Sequence, residues 1–128
     1  MRLLLDTHLL LWTVARPGLL STAARSLIGD PLNQPSFSVV SVWEVAIKFS
    51  SGRLEFNLPP LDLRETLLES GYHELTVLGA HAIAVAALPH IHKDPFDRLL
   101  IAQAMVEGIT LLTADSTIAR YPGPIRKV

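Results

Sequence analysis

Asp6, Glu44, Asp97 and Asp115 occupy similar places along the chain. Asp6 follows the apolar run Arg2–Leu5, Glu44 comes shortly after Phe37–Val40, and Asp115 comes just after Ile109–Thr113. Asp97 departs from the pattern: it opens a helix within Lys93-Asp94-Pro95-Phe96-Asp97-Arg98, with no strand immediately before it. If the runs are parallel strands, their C-terminal ends share one rim of a sheet, where open α/β folds place their ligands. Carboxylates gathered on such a rim repel one another unless a cation joins them. Oxygen donors select a hard ion, Mg2+ or Mn2+, and such an ion activates water for in-line attack on phosphorus. The chemistry expected is cleavage of a phosphodiester. Thr113, two residues before Asp115, adds a hydroxyl that can orient a water on the ion. Lys48, one helical turn beyond Glu44, together with Lys93, Arg98 and Arg53, supplies cations that can hold phosphates nearby.

Each acid also has a purely structural reading. Asp6 or Thr7 can cap a first helix, and Asp115 can cap Ser116–Arg120. Ser41-Val42-Trp43-Glu44 has the form of a capping box. Asp94-Pro95-Phe96-Asp97 reads as a helix start with Asp94 at the N-cap and Pro95 at the first helical position. Thr113 can simply end a strand, and Lys48 can simply pair with Glu44. The joint pattern favours chemistry, because capping alone accepts Ser, Thr or Asn equally well. Helix N-termini are also electropositive, which suits both carboxylates and phosphate. His90 and His92 have same-side spacing that can bind a transition metal, but in a loop before a cap an exposed or hydrogen-bonded pair is the better reading. Trp12 and Trp43 read as core or interface aromatics.

The elements that must position these residues follow from punctuation and periodicity. Strands are expected at Arg2–Leu5, Ser36–Val40, His73–Val77, Ile109–Thr113 and Ile125–Val128. Helices are expected at Thr7–Val14, Ser21–Ile28, Ser41 to about Ser51, Leu63–Ser70 capped by Asp62, Ala80–Leu88, Pro95–Glu107 and Ser116–Arg120. Alternation of strands and helices argues for a parallel sheet covered on both faces. No internal repeat or domain boundary interrupts residues 1–128, so one domain is expected, with Pro59-Pro60 a bend inside it.

A chain of 128 residues, 49% hydrophobic and 18% charged, can bury a core and is not disordered. It has no cysteine, which excludes disulfides and thiolate metal sites. No apolar run approaches the roughly 18 residues of a membrane span, and no secretory leader is expected, so the cytoplasm is the expected compartment. Eleven basic and twelve acidic residues give a formal charge of −1. A nucleic-acid contact must then be local, with a bound ion supplying part of the positive field.

The segments Leu3-Leu4-Leu5-Asp6-Thr7-His8, Ser41-Val42-Trp43-Glu44-Val45-Ala46, His92 to Ala104 and Leu111-Leu112-Thr113-Ala114-Asp115 resemble, in order and across the chain, the PIN-domain family, and within it the VapC-type toxins of bacterial toxin–antitoxin pairs. That resemblance implies a three-layer α/β/α sandwich with a parallel sheet in strand order 3-2-1-4-5. It implies a Mg2+- or Mn2+-dependent endoribonuclease, with Asp6, Glu44, Asp97 and Asp115 at the family's acidic positions and Thr113 as its hydroxyl. A homodimer and a tight antitoxin partner are implied as well. The competing expectation is a non-catalytic binding module on the same scaffold. A phosphoacceptor switch is disfavoured because Asp6 is followed by Thr7 rather than a second acid, and a nucleotide triphosphatase because no glycine-rich phosphate loop is present.

Overall fold

The computed structural model describes residues 1–128. Its elements are β1 (Arg2–Leu5), α1 (Thr7–Ala15), α2 (Thr22–Gly29), β2 (Gln34–Ser38), α3 (Val39–Ser50), α4 (Pro60–Glu69), β3 (His73–Leu75), α5 (Gly79–Ala84), α6 (Pro95–Glu107), β4 (Thr110–Thr113) and β5 (Ile125–Lys127). The sheet is five-stranded in the order β3-β2-β1-β4-β5, and every pairing is parallel. The chain builds outward from β1 to β2 and β3, then returns to the other side of β1 for β4 and β5. That reversal flanks β1, so the crevice at its C-terminal end is the expected ligand position.

Side-chain alternation splits the core into two layers. Leu3 and Leu5 point to the layer of Leu9, Leu10, Ala24, Leu63 and Leu67, contributed by α1, α2 and α4. Leu4 points to the opposite layer with Leu100, Ile101 and Ala104 of α6. Helix α3 straddles both, sending Val45 into the first layer and Val40 into the second. Because α3 lies across the end of the sheet in this way, the turn between those two anchors, which holds Glu44, faces the rim. None of the helices is long and apolar enough to cross a membrane.

Several element boundaries differ from the sequence reading. Strand β2 stops at Ser38, and Val39-Val40 already belong to α3. Helix α4 starts at Pro60 with Pro59 as its N-cap residue, leaving Asp62 in the first turn rather than at the cap. The ring of proline pre-sets the first helical position, so it takes precedence over a carboxylate two residues on. The expected Ala80–Leu88 helix is α5 followed by a 3-10 turn, Val85–Ala87. The expected Ser116–Arg120 helix shrinks to a 3-10 turn, Ile118–Arg120. Gly108 ends α6 with φ of 64°, the left-handed conformation that glycine adopts without steric cost.

Candidate active site

Asp6 is the first residue beyond β1. Its backbone N–H still reaches the neighbouring strand, donating to the Leu112 carbonyl at 3.1 Å. Its side chain is buried, with 3% of the residue exposed. Oδ1 accepts from the Leu9 N–H at 3.0 Å, so Asp6 does cap α1, and Oδ2 accepts from the Thr113 hydroxyl at 2.5 Å. Thr113 in turn accepts from the Asp115 N–H at 3.0 Å. The ends of β1 and β4 are thus joined by a chain of donors running from Asp115 through Thr113 into Asp6. Burial pushes the Asp6 carboxyl above its ordinary range; the Thr113 and Leu9 hydrogen bonds oppose this, and the Asp115 charge adds to it.

Glu44 lies in the second turn of α3, with 4% exposed. The capping box read from the sequence does not form, because the helix starts three residues earlier. Ser38 is the N-cap: its Oγ accepts from the Val40 N–H at 3.0 Å and donates to Gln103 Oε1 of α6 at 2.5 Å. Ser41 is freed for the interior, where Thr7 Oγ1 lies 2.9 Å from Ser41 Oγ and 2.8 Å from Glu44 Oε1. Thr7 has a single hydroxyl proton and an ionised carboxylate only accepts. That proton therefore goes to Glu44, and Ser41 donates to Thr7. The other oxygen, Oε2, pairs with Lys48 Nζ at 2.5 Å.

Asp97 stands in the first turn of α6, behind Asp94, which caps the helix by accepting from Phe96 N–H at 2.9 Å and Asp97 N–H at 3.1 Å. The Asp97 carboxylate is left free of capping and meets His92 Nε2 at 3.0 Å through Oδ2. Burial raises its pKa to about 6; the His92 hydrogen bond pulls it down, and the charges of Asp94 and Glu44 push it up. Asp115 is exposed, and its Oδ1 accepts from the Thr117 N–H at 2.7 Å, closing a tight turn rather than capping a helix.

The rim therefore gathers the predicted acids into two mutually repelling pairs, Asp6 with Asp115 and Glu44 with Asp97, each close enough for one charge to shift the other. It does not draw them into a single cage: no group of three or more His, Asp or Glu side chains converges tightly enough to hold a metal ion. The donor chemistry nonetheless suits a hard cation, since Mg2+ takes only one or two direct carboxylates and keeps several waters. A cleft of about 180 Å³ opens beside Glu44, lined by Thr7, His8, Lys48, Arg53 and Glu55 among others.

The cations divide. Lys48 lies in the site, and Lys93 is exposed in the loop before α6. Arg98 does not face the rim, contrary to the sequence reading. It is buried, and donates to the Pro89 carbonyl at 2.8 Å, the Tyr121 hydroxyl at 3.0 Å and the Val85 carbonyl at 3.4 Å. A 100° step per residue turns Arg98 away from the face that presents Asp97. Thr7, Ser41, His92 and Tyr121 are contact residues that sequence reasoning did not single out as site residues. For Thr7 and His92 a signal existed in their nearness to Asp6 and Asp97; Ser41 was absorbed by the capping box, and nothing local marks Tyr121.

Comparison with known proteins identifies the family and the fold. The PIN domain model matches residues 3–124. Ribonuclease VapC22 of Mycobacterium tuberculosis is 32% identical over 127 residues, covering 95% of each chain. Among solved structures, VapBC2 from Rickettsia felis bound to a DNA fragment from its promoter superposes with a TM-score of 0.74 at 15% identity, over 99% of this chain and 98% of that one. DNA-bound VapBC from Salmonella typhimurium gives 0.68 at 15% identity over the same shares.

Proposed function

The chain belongs to the PIN-domain family, and from that premise we propose that it is a Mg2+- or Mn2+-dependent endoribonuclease, the toxin of a toxin–antitoxin pair acting in the cytoplasm. The observation that carries this reading is the pair of buried carboxylates, Asp6 and Glu44, each fed by a threonine hydroxyl at the rim of a parallel sheet. Asp6 is buried with no ion-pair partner, which is costly, and it lies beside Asp115 as Glu44 lies beside Asp97; this acidic crowding supports an ion-binding role.

Asp6, Glu44, Asp97 and Asp115 would hold the ion. When bound, it supplies Lewis-acid activation of water and neutralises charge building on the phosphate. The chain's own residues prepare that site. Thr113 and the Leu9 N–H fix both oxygens of Asp6, and Thr7 and Lys48 fix those of Glu44, so the carboxylates keep their orientation as the substrate arrives. Lys48, Arg53 and Lys93 provide local positive charge for the RNA backbone on a surface with no basic excess overall. The acidic set thus binds and orients, and the basic set steers.

The partners implied by the family resemblance are part of the proposal: a cognate antitoxin, and a second copy of the chain in a homodimer. Val39 and Trp43, exposed one turn apart on α3, offer apolar surface for such contacts. The competing reading, a non-catalytic scaffold, draws its support from the absence of a tight metal cage. Purified chain freed of partners separates the two. With Mn2+ it is expected to cut RNA, with EDTA to stop, and with Asp97→Asn to lose at least about 100-fold in rate. Cleavage that persists in EDTA overturns the metal-dependent mechanism, and no cleavage in Mn2+ leaves the scaffold reading.

A further inference from the structure

Tyr121 lies outside every acidic motif, yet its hydroxyl is the hinge of a hydrogen-bond chain that ends on Asp97. The residue is 4% exposed and sits where the 3-10 turn Ile118–Arg120 ends. Four polar atoms surround its oxygen: Arg98 Nη1 at 3.0 Å, His92 N at 3.3 Å, His92 Nδ1 at 2.7 Å and the His92 carbonyl at 3.4 Å. The first two can only donate. The single phenolic proton is then directed to the nearer of the two acceptors, His92 Nδ1. A neutral imidazole that accepts at Nδ1 carries its proton on Nε2, and Nε2 faces Asp97 Oδ2 at 3.0 Å. Arg98 is itself immobilised by the Pro89 and Val85 carbonyls and lies against the Tyr121 ring. The direction of every donor in the chain is therefore set by a guanidinium that cannot be an acceptor.

We infer that Tyr121 is a positioning residue for Asp97: the chain Arg98–Tyr121–His92 holds the His92 tautomer with hydrogen on Nε2, which pins Asp97 Oδ2 and turns the other oxygen toward the site. This explains why Arg98, an apparent phosphate ligand by sequence, is buried. It rests on the nuclease reading only in what Asp97 is positioned for.

The tautomer is read in the metal-free protein at about pH 8, where an ordinary imidazole is neutral, from the 15N shifts and proton couplings of the His92 ring. The wild type is expected to show hydrogen on Nε2 alone. Tyr121→Phe keeps the ring and its edge contact with His92, so the fold should persist, while the His92 signals become those of a mobile, mixed-tautomer ring. Mn2+ titration should then show about a tenfold loss for His92→Ala and several-fold for Tyr121→Phe. His92→Gln, which keeps an N–H donor near the place of Nε2, should recover to within about threefold of wild type. A purely structural role for His92 predicts no such recovery. Hydrogen on Nδ1 in the wild type, or a Tyr121→Phe spectrum unchanged at His92, overturns the inference whether or not the protein cuts RNA. Failure of the wild type to cut RNA overturns the nuclease reading and leaves the tautomer result standing.

Discussion

Helices α3 and α6 each bring one carboxylate to the same rim, but their first turns are specified in opposite ways. Helix α6 starts where local rules put it. Pro95 is tolerated only at the beginning of a helix, Asp94 is a strong cap, and Asp97 falls one turn in, spared from capping. Helix α3, expected from Ser41, instead takes Ser38 as its N-cap, three residues earlier, and draws β-branched Val39-Val40 out of the expected strand. Ser38 prevails because its hydroxyl is also bonded to the buried Gln103 of α6, and because Ser41 has a second use, donating to Thr7 beneath Glu44. One carboxylate thus gets its place on the helix from its own neighbourhood, Asp94 to Asp97. The other is aimed by contacts 34 to 65 residues away in sequence. A locally specified helix start survives substitution of distant residues, and a non-locally specified one does not.

The two acids should nonetheless be equally indispensable to the chemistry. Glu44→Gln is expected to match Asp97→Asn, with at least about a 100-fold loss of RNA cleavage in Mn2+; a variant within tenfold of wild type would show that α3 delivers Glu44 for packing alone. The sharpest break in the comparison is Ser38→Ala. It removes a cap and leaves the buried Gln103 oxygen without its donor, a combined cost of about 2–3 kcal/mol in urea unfolding. Asp94→Ala should cost only about 1 kcal/mol, since it removes a cap with no buried partner.

A smaller effect distinguishes the acids by pH. Burial holds the Asp97 carboxyl at about 6 in the folded chain, above the ordinary aspartate value of about 3.9. Between those values the folded state holds more protons than the unfolded one, so stability falls as pH rises through the window. In metal-free protein Asp97→Asn should then be more stable than wild type by about 1 kcal/mol at pH 8, after allowing for partial solvent screening, and should show no advantage at pH 4. Thermal melts at the two pH values check the sign. The smallest change expected is Ser41→Ala, about 0.5–1 kcal/mol, because Thr7 keeps its bond to Glu44. Reversal of the order, with Ser41→Ala costing more than Ser38→Ala, would restore the capping box and put the start of α3 three residues later.

Strand positions near the middle of each run, the parallel alternation and the α6 start were legible from residues alone, because periodicity and proline or glycine punctuation act over a few residues. So were the acids as candidates, since three of them follow strand ends. Tertiary structure decided the rest. Whether Ser38 or Ser41 caps α3 depended on Gln103; whether Arg98 faces phosphate or the interior depended on Pro89, Val85 and Tyr121; and the partners of Asp6, Glu44 and Asp97 proved to be Thr113, Thr7 and His92. The reason is physical: a buried hydroxyl, carboxylate or guanidinium must satisfy its hydrogen bonds with whatever the fold brings within about 3 Å, and that neighbour is set by packing and not by spacing along the chain.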